Sequence, residues 1–248
     1  MPRPIYLTGD VHLGAVSRER AASFLRWLDH AGANASSILL TGDLFDFWFE
    51  YGSVIPRGHT RVLGALARLV DAGVPVTLVG GNHDWWGGSY LEEEVGITFL
   101  RDAVVESLAG RRTFLAHGDG LGRGDLGYKL MRPVLRSRLT RWAFRWLHPD
   151  VGAWAARRAS KTEHRTLSDE EKRRAAALEA WGVEKLRADP ALEMVVVGHS
   201  HIPAVTEVDP GRWFVNAGDW VMHKTYVVLE EGAPPRLLDW EVSGPAAP

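Results

Sequence analysis

The chain contains no cysteine. That excludes a disulfide frame, a thiolate metal site and a cysteine nucleophile, and it fits a reducing compartment. No apolar run approaches the ~18 residues needed to cross a bilayer. The opening residues, MPRPIYLTGD, read as a strand entering a polar loop, so a secretory signal is not expected. There is no internal repeat, no low-complexity tract and no strong overall charge, the formal net charge being −2.

What is present suits a globular enzyme-sized domain. The 248 residues are 46% hydrophobic and 24% charged, and a chain of this length can bury a sizeable core. Eleven tryptophans exceed what such a core needs, so some are expected at a surface or in a pocket. Between Arg123 and Arg165, eleven bases stand against three acids, which leaves the remainder of the chain markedly acidic. Such asymmetry usually marks a surface for an anionic partner.

Short apolar runs recur, and most end at a glycine followed by polar residues. They are Ile5–Leu7 before TGDVH, Ile38–Leu40 before TGDLFD, Val74–Val79 before GGNHD, Thr113–Ala116 before HGD, Met194–Val197 before GHSH, and Trp213–Val215 before NAGDW. Runs of this kind suit buried strands. Helical patterns separate the early ones: Phe24, Leu25 and Leu28 follow a Ser17 cap, and Val62, Leu66, Leu69 and Val70 follow Pro56. Alternation of strand and helix implies parallel strands, whose polar loops gather at the carboxyl ends. After HGD the alternation breaks. Leu135, Leu139, Trp142 and Trp146 recur at helix spacing, Ser168 and Glu171 form a capping box, and Asp189-Pro190 ends that later helix. The C-terminal TYVVLEEGAPPRLLDWEV reads as strand, turn and strand. We therefore expect one α/β domain over residues 1–248, carrying a helical insertion over 122–190.

Seven residues sit at the strand ends: Asp10, His12, Asp43, Asn82, His117, His199 and His201. Singly, each has a plain reading as a turn residue, a loop amide or a hydrogen-bonded histidine. Together they form the donor set of a two-cation site, with Asp43 as the shared carboxylate. Two such ions would bind phosphoryl oxygens and lower the pKa of a bridging water, so that hydroxide attacks phosphorus without a protein nucleophile.

The blocks GDVH, GDLFD, GGNHD, HGD and GHSH, in this order over nearly the whole chain, resemble the signature of the calcineurin-like metallophosphoesterases. The resemblance implies a four-layer αββα sandwich, with one metal on Asp10, His12, Asp43 and His201 and the other on Asp43, Asn82, His117 and His199. It further implies His83 as a general acid or cationic clamp, oriented by Asp46. Manganese is the metal it favours; mixed oxygen and imidazole donors also accept iron or zinc.

Longer stretches, TGDLFDFWF, HGDGLGRGDLGYKLMR, RRASK and NAGDW, resemble the branch that holds the UDP-2,3-diacylglucosamine pyrophosphatases of lipid A synthesis. This implies a lipid-linked nucleotide substrate cleaved to UMP and 2,3-diacylglucosamine 1-phosphate, beneath an insertion acting as a cap. Asp125, Tyr128, Arg132, Ser160 and Lys161 are then candidate substrate contacts. The branch also implies a cytoplasmic enzyme, with peripheral contact between residues 128–165 and the inner membrane surface. Arg138, Arg141 and Arg145 form one helical stripe beside the Leu/Trp stripe, which suits acyl chains next to phosphate head groups. The same helix reads equally as tryptophans on the core and arginines in water. One position departs from the branch, where arginine stands in place of His83. Two rival readings follow: a phosphodiesterase acting on nucleotides or nucleic acid, whose bases would stack on tryptophan, and a scaffold without catalysis. The Leu/Trp stripe and the acidic remainder make nucleic acid the weaker partner, and seven intact ligands disfavour the scaffold. Sequence leaves the oligomeric state open.

Overall fold

The structure is a computed structural model that describes residues 3–122, 126–159 and 168–243. Two sheets lie at its centre. The first has six strands in the order β11-β10-β1-β2-β3-β4, formed by β1 (Ile5–Thr8), β2 (Ser37–Leu40), β3 (Val76–Val79), β4 (Thr98–Leu100), β10 (Thr225–Leu229) and β11 (Arg236–Asp239). The second has five in the order β5-β6-β7-β9-β8, from β5 (Val104–Leu108), β6 (Arg111–Leu115), β7 (Met194–Val197), β8 (Ala204–Asp209) and β9 (Arg212–Asn216). Strands β1, β2, β3 and β4 pair in parallel, as do β6, β7 and β9. The expected parallel strands are present, divided between two sheets.

Alternation along each strand explains the layering. Tyr6 of β1 faces a core of helix residues while Leu7 faces the second sheet; in β7, Val195 and Val197 face outward to a helix while Met194 and Val196 face the first sheet. A strand buried on both faces has little room for polar side chains, which is why MVVV is apolar throughout and the one small hydroxyl of TYVVL, Thr225, donates to Ala217 O. Leu7, Leu39 and Val79 meet Leu115, Val196 and Val215 between the sheets.

Helices cover both outer faces. In α1 (Arg18–Asn34), the Ser17 side chain accepts from Arg20 N, and Phe24, Trp27, Leu28 and Ala31 are buried at helical spacing. Each large apolar side chain so buried contributes roughly 1.5–3 kcal/mol. Helix α2 (Thr60–Asp71) buries Val62, Leu63 and Leu66 beside it. Helix α6 (Asp169–Ala188) starts at the Ser168–Glu171 capping box, ends at Asp189, and packs Leu178 and Leu186 on β7 and β9.

Between β6 and α6 run α3 (Leu126–Leu135), α4 (Arg138–Arg145) and α5 (Pro149–Ala159). The single stripe expected from Leu135 to Trp146 is broken. Ser137 accepts from Thr140 N and starts a new helix, so Leu135 ends one helix and Leu139 opens another. Helix α4 has no buried residue: Leu139, Trp142 and Trp146 are 72%, 61% and 75% exposed. What ties it down is Phe144, 4.8 Å from the rings of both Phe49 and Trp86, together with a hydrogen bond from Trp86 Nε1 to Leu135 O at 2.9 Å. None of the helices described is long and apolar enough to cross a membrane.

Candidate metal centre

The loops after β1, β2, β3, β6 and β7 converge at one end of the two sheets, and backbone bonds zip them together. Asp10 N donates to Gly42 O, His12 N to Asp43 O, and Gly198 N to His117 O. Five of the seven strand-end residues adopt left-handed backbone: Asp10 (φ 49°), His12 (50°), Asp43 (50°), His199 (67°) and His201 (62°). This conformation costs about 1–3 kcal/mol per non-glycine residue and persists only where its surroundings enforce it. Glycine would relieve the strain at each position. The side chains are what keep these residues there.

Close approach is built in by glycine nearby. A Cβ on Gly81 would lie 2.1 Å from Asp43 Oδ1, and one on Gly42 would lie 2.3 Å from His117 Nδ1. Asp10, His12, Asp43, His117 and His201 are all buried. Candidate donor atoms within 4.8 Å of one another group as Asp10, His12 and His201; as Asp43, His117 and His199; and as His12, Asp43 and His83. Asn82 joins the second group, its Oδ1 being 3.3 Å from His117 Nε2. The structure thus brings together all seven expected metal ligands and His83.

Proton bookkeeping shows what the arrangement requires. His117 Nδ1 lies 2.9 Å from Thr41 O, a pure acceptor, so Nδ1 carries the proton and Nε2 is the acceptor nitrogen of the neutral ring. That Nε2 faces Asp43 Oδ2 and Asn82 Oδ1, each at 3.3 Å. Three acceptors point at one another. His12 and His201 repeat the pattern. Their Nδ1 atoms face Asp46 Oδ1 at 3.3 Å and Asp219 Oδ2 at 2.9 Å, which turns both Nε2 atoms towards each other at 3.3 Å, with Asp10 Oδ1 3.3 Å from the latter. Converging lone pairs are reconciled by positive charge. Protons supply it in the absence of metal: burial opposes protonation of His117, but the Asp43 carboxylate drives its pKa to about 10. Burial alone would raise Asp43, yet His117 beside it holds its carboxyl well below the usual range, while burial pushes Asp10 well above it. Divalent cations fit the same place, because the donors are all nitrogen or oxygen and Asp43 Oδ2 faces His12 and His117 at 3.7 and 3.3 Å.

His83 is one-fifth exposed and edge-on to His12, with ring centroids 4.7 Å apart. Its Nδ1 donates to the main-chain carbonyl of Asp46 at 2.7 Å, while Asp46 Oδ1 is 3.6 Å away and closer to His12. Orientation of His83 by Asp46 therefore runs mainly through the backbone. Arg132 sits with Arg136 against the buried carboxylate of Asp119, at 3.2 and 2.8 Å, which anchors α3 to the HGD loop. Asp125, Ser160 and Lys161 lie outside the described residues, as does the side chain of Tyr128.

Two supporting carboxylates escaped the sequence reading. Asp84, the last residue of GGNHD, accepts from Leu44 N at 2.7 Å and Gly81 N at 2.8 Å, tying the Asp43 loop to the Asn82 loop. Burial, reinforced by Asp43, raises its pKa to about 6. Asp219, in NAGDW, is shared between His201 and His223, at 2.9 and 3.0 Å. Burial would raise its pKa, but these two imidazoles hold it well below the normal range.

Comparison with known proteins gives the arrangement a context. A family model described as calcineurin-like phosphoesterase matches residues 3–203. A protein of Porphyromonas gingivalis named UDP-2,3-diacylglucosamine hydrolase is 30% identical, covering 93% of this chain and 95% of its own. A protein of that name from Pseudomonas putida is 31% identical, covering 87% and 90%. Among solved structures, hypothetical protein PH1004 of Pyrococcus horikoshii aligns with a TM-score of 0.50 at 10% identity, over 95% of this chain and 87% of that one, which is a likeness of fold.

Proposed function

The chain belongs to the calcineurin-like phosphoesterase family and is a metal-dependent hydrolase, and from that premise we propose that it cleaves the diphosphate of UDP-2,3-diacylglucosamine, releasing UMP and 2,3-diacylglucosamine 1-phosphate. The observation that carries the lipid half of this reading is the apolar face of α3 to α5. Leu130, Val134, Leu139, Trp142, Trp146 and Trp154 are exposed there beside Arg138, Arg141 and Arg145, on helices docked through Phe144, Trp86 and Arg136 onto the loops of the metal centre. So much exposed apolar surface within one run of helices supports a binding site there. The curated relatives carry the matching name.

In this reading Asp10, His12, Asp43 and His201 hold one cation, and Asp43, Asn82, His117 and His199 hold a second, both taken as Mn²⁺. Cations bound there neutralise phosphoryl oxygens and acidify water enough to supply a nucleophile near neutral pH. The remaining work belongs to the side chains. Thr41 O, Asp46 and Asp219 fix the imidazole tautomers that present Nε2 inward. His83, held at Nδ1 by Asp46 O, offers Nε2 to the leaving-group oxygen, where it gives up a proton or carries positive charge. Helices α3 to α5 form the cap that receives the acyl chains, and Asp125, Tyr128, Arg132, Ser160 and Lys161 are its proposed head-group contacts. The arginines and tryptophans of this segment also support peripheral contact of residues 128–165 with an anionic inner-membrane surface, from the cytoplasmic side.

The test compares UDP-2,3-diacylglucosamine with its deacylated analogue in the presence of Mn²⁺. We expect a strong preference for the acylated substrate; equal rates on both, or no hydrolysis of either, would refute the reading. Co-sedimentation with anionic vesicles tests the surface separately. An Arg138/Arg141/Arg145→Glu protein should lose it, and undiminished binding would rule out that face.

A further inference from the structure

A cavity of about 740 Å³ adjoins the metal centre, between the segment running from Asp46 to His59 and the start of α5. Its volume falls within the range of small-molecule sites. Asp46 belongs to its wall and also lies 3.3 Å from His12, so the cavity is one side chain away from the metal centre. Phe47, Ile55 and Pro56 make it largely apolar. We propose that this cavity holds the nucleoside of the substrate, with His59 reading the hydrogen-bonding edge of the base.

His59 is the reason. It is 7% exposed, packed edge-on against Phe45 with centroids 4.7 Å apart, and it lines the cavity. Its ring makes no hydrogen bond to the described residues, and although it precedes α2 its side chain does not cap that helix. Without such a partner, the ring nitrogens are left to water or to a ligand in the cavity. Burial lowers its pKa to about 4, so the ring is neutral at physiological pH and offers one N–H donor and one acceptor nitrogen.

Ligand chemistry follows from that pair. An acyl chain would leave both nitrogens unsatisfied. A phosphate would meet a neutral ring and the carboxylates of Asp46 and Asp150 in the same wall, against Arg57, the one cation among its described residues. A neutral planar heterocycle that carries donors and acceptors side by side, such as the imide edge of uracil, can pair with a His59 nitrogen that faces the cavity, whether that nitrogen donates or accepts. Phe47 and Tyr51 supply aromatic surface beside it. The cavity's position beside Asp46 then leads the attached phosphate towards the metal centre. This inference rests on the proposed substrate and assigns its nucleoside end.

The test isolates the base by comparing UMP with ribose 5-phosphate, using calorimetry on the Mn²⁺-loaded protein. The wild type should bind UMP more tightly, and His59→Leu should reduce that advantage about tenfold, the worth of a hydrogen bond to a buried partner, while the affinity for ribose 5-phosphate stays the same. If His59→Leu fails to fold by circular dichroism, Ala153→Phe, which fills the cavity from α5, should remove the same advantage. An undiminished UMP advantage in the folded variant overturns the proposal. So does weakening by Ala153→Phe of 2,3-diacylglucosamine 1-phosphate binding with UMP unaffected, since that places an acyl chain in the cavity. Failure of the substrate reading looks different: a wild type that binds UMP through His59 but does not hydrolyse UDP-2,3-diacylglucosamine keeps the base subsite and loses the lipid.

Discussion

Replacing Asp84 by alanine should damage both stability and the site, and the structure gives the scale. The carboxylate is fully buried and accepts from Leu44 N at 2.7 Å and Gly81 N at 2.8 Å, with Phe45 N at 3.4 Å. Alanine leaves two strong donors buried without an acceptor, at about 1–3 kcal/mol each. Part of this is offset, because an aspartate with its pKa raised to about 6 is itself held against the preference of its charge for water. A net loss of about 3–4 kcal/mol remains, a large share of the roughly 5–15 kcal/mol that holds a domain folded. In urea, with a slope of about 3 kcal/mol per molar, the midpoint should fall by about 1 M with the slope unchanged. Leu44 and Gly81 flank Asp43 and Asn82, so the metal affinity of the folded fraction should fall as well. A midpoint within about 0.3 M of the wild type would show that the Asp84 bonds do not join the two loops as described.

Other expectations concern the site directly. Asp219→Asn removes the acceptor that fixes the His201 tautomer, and should weaken Mn²⁺ binding about 10–100-fold in competition with a fluorescent chelator; affinity within about twofold would remove Asp219 from any orienting role. His199→Gly relieves a left-handed backbone at the cost of a donor. In excess EDTA this variant should match or exceed the wild type in stability, by up to about 1–2 kcal/mol, although its metal affinity collapses. A loss of more than about 1 kcal/mol in EDTA would show that the His199 ring packs for stability rather than for a ligand.

The five metal-site loops were legible in the sequence because their chemistry admits few residue types. Carboxylate and imidazole must stand at strand ends, and glycine must precede them where Asp43 and His117 approach closely. The parts that escaped the reading are those whose meaning depends on distance in space. Asp219 lies 18 residues from His201, and only the fold shows that they touch. Asp84 sits inside a motif read for its neighbours, yet its partners are backbone atoms of another loop. The break between α3 and α4 was hidden by a Leu/Trp periodicity that runs through it, overridden by the Ser137 cap. His59 has no motif at all; its significance lies in being buried beside a cavity. Strand alternation predicts parallel pairing but not its division between two sheets, because runs buried on both faces look alike in either.

The central claim is that the converging acceptors around Asp43 hold two cations that serve diphosphate hydrolysis. Titrating Mn²⁺ into EDTA-stripped protein, while measuring UMP release from UDP-2,3-diacylglucosamine, tests it directly. UMP release should be absent without metal and saturate when two equivalents are bound, and an Asp43→Ala protein should bind fewer than two and release none. UMP release that persists in EDTA, or that survives Asp43→Ala undiminished, would contradict the account.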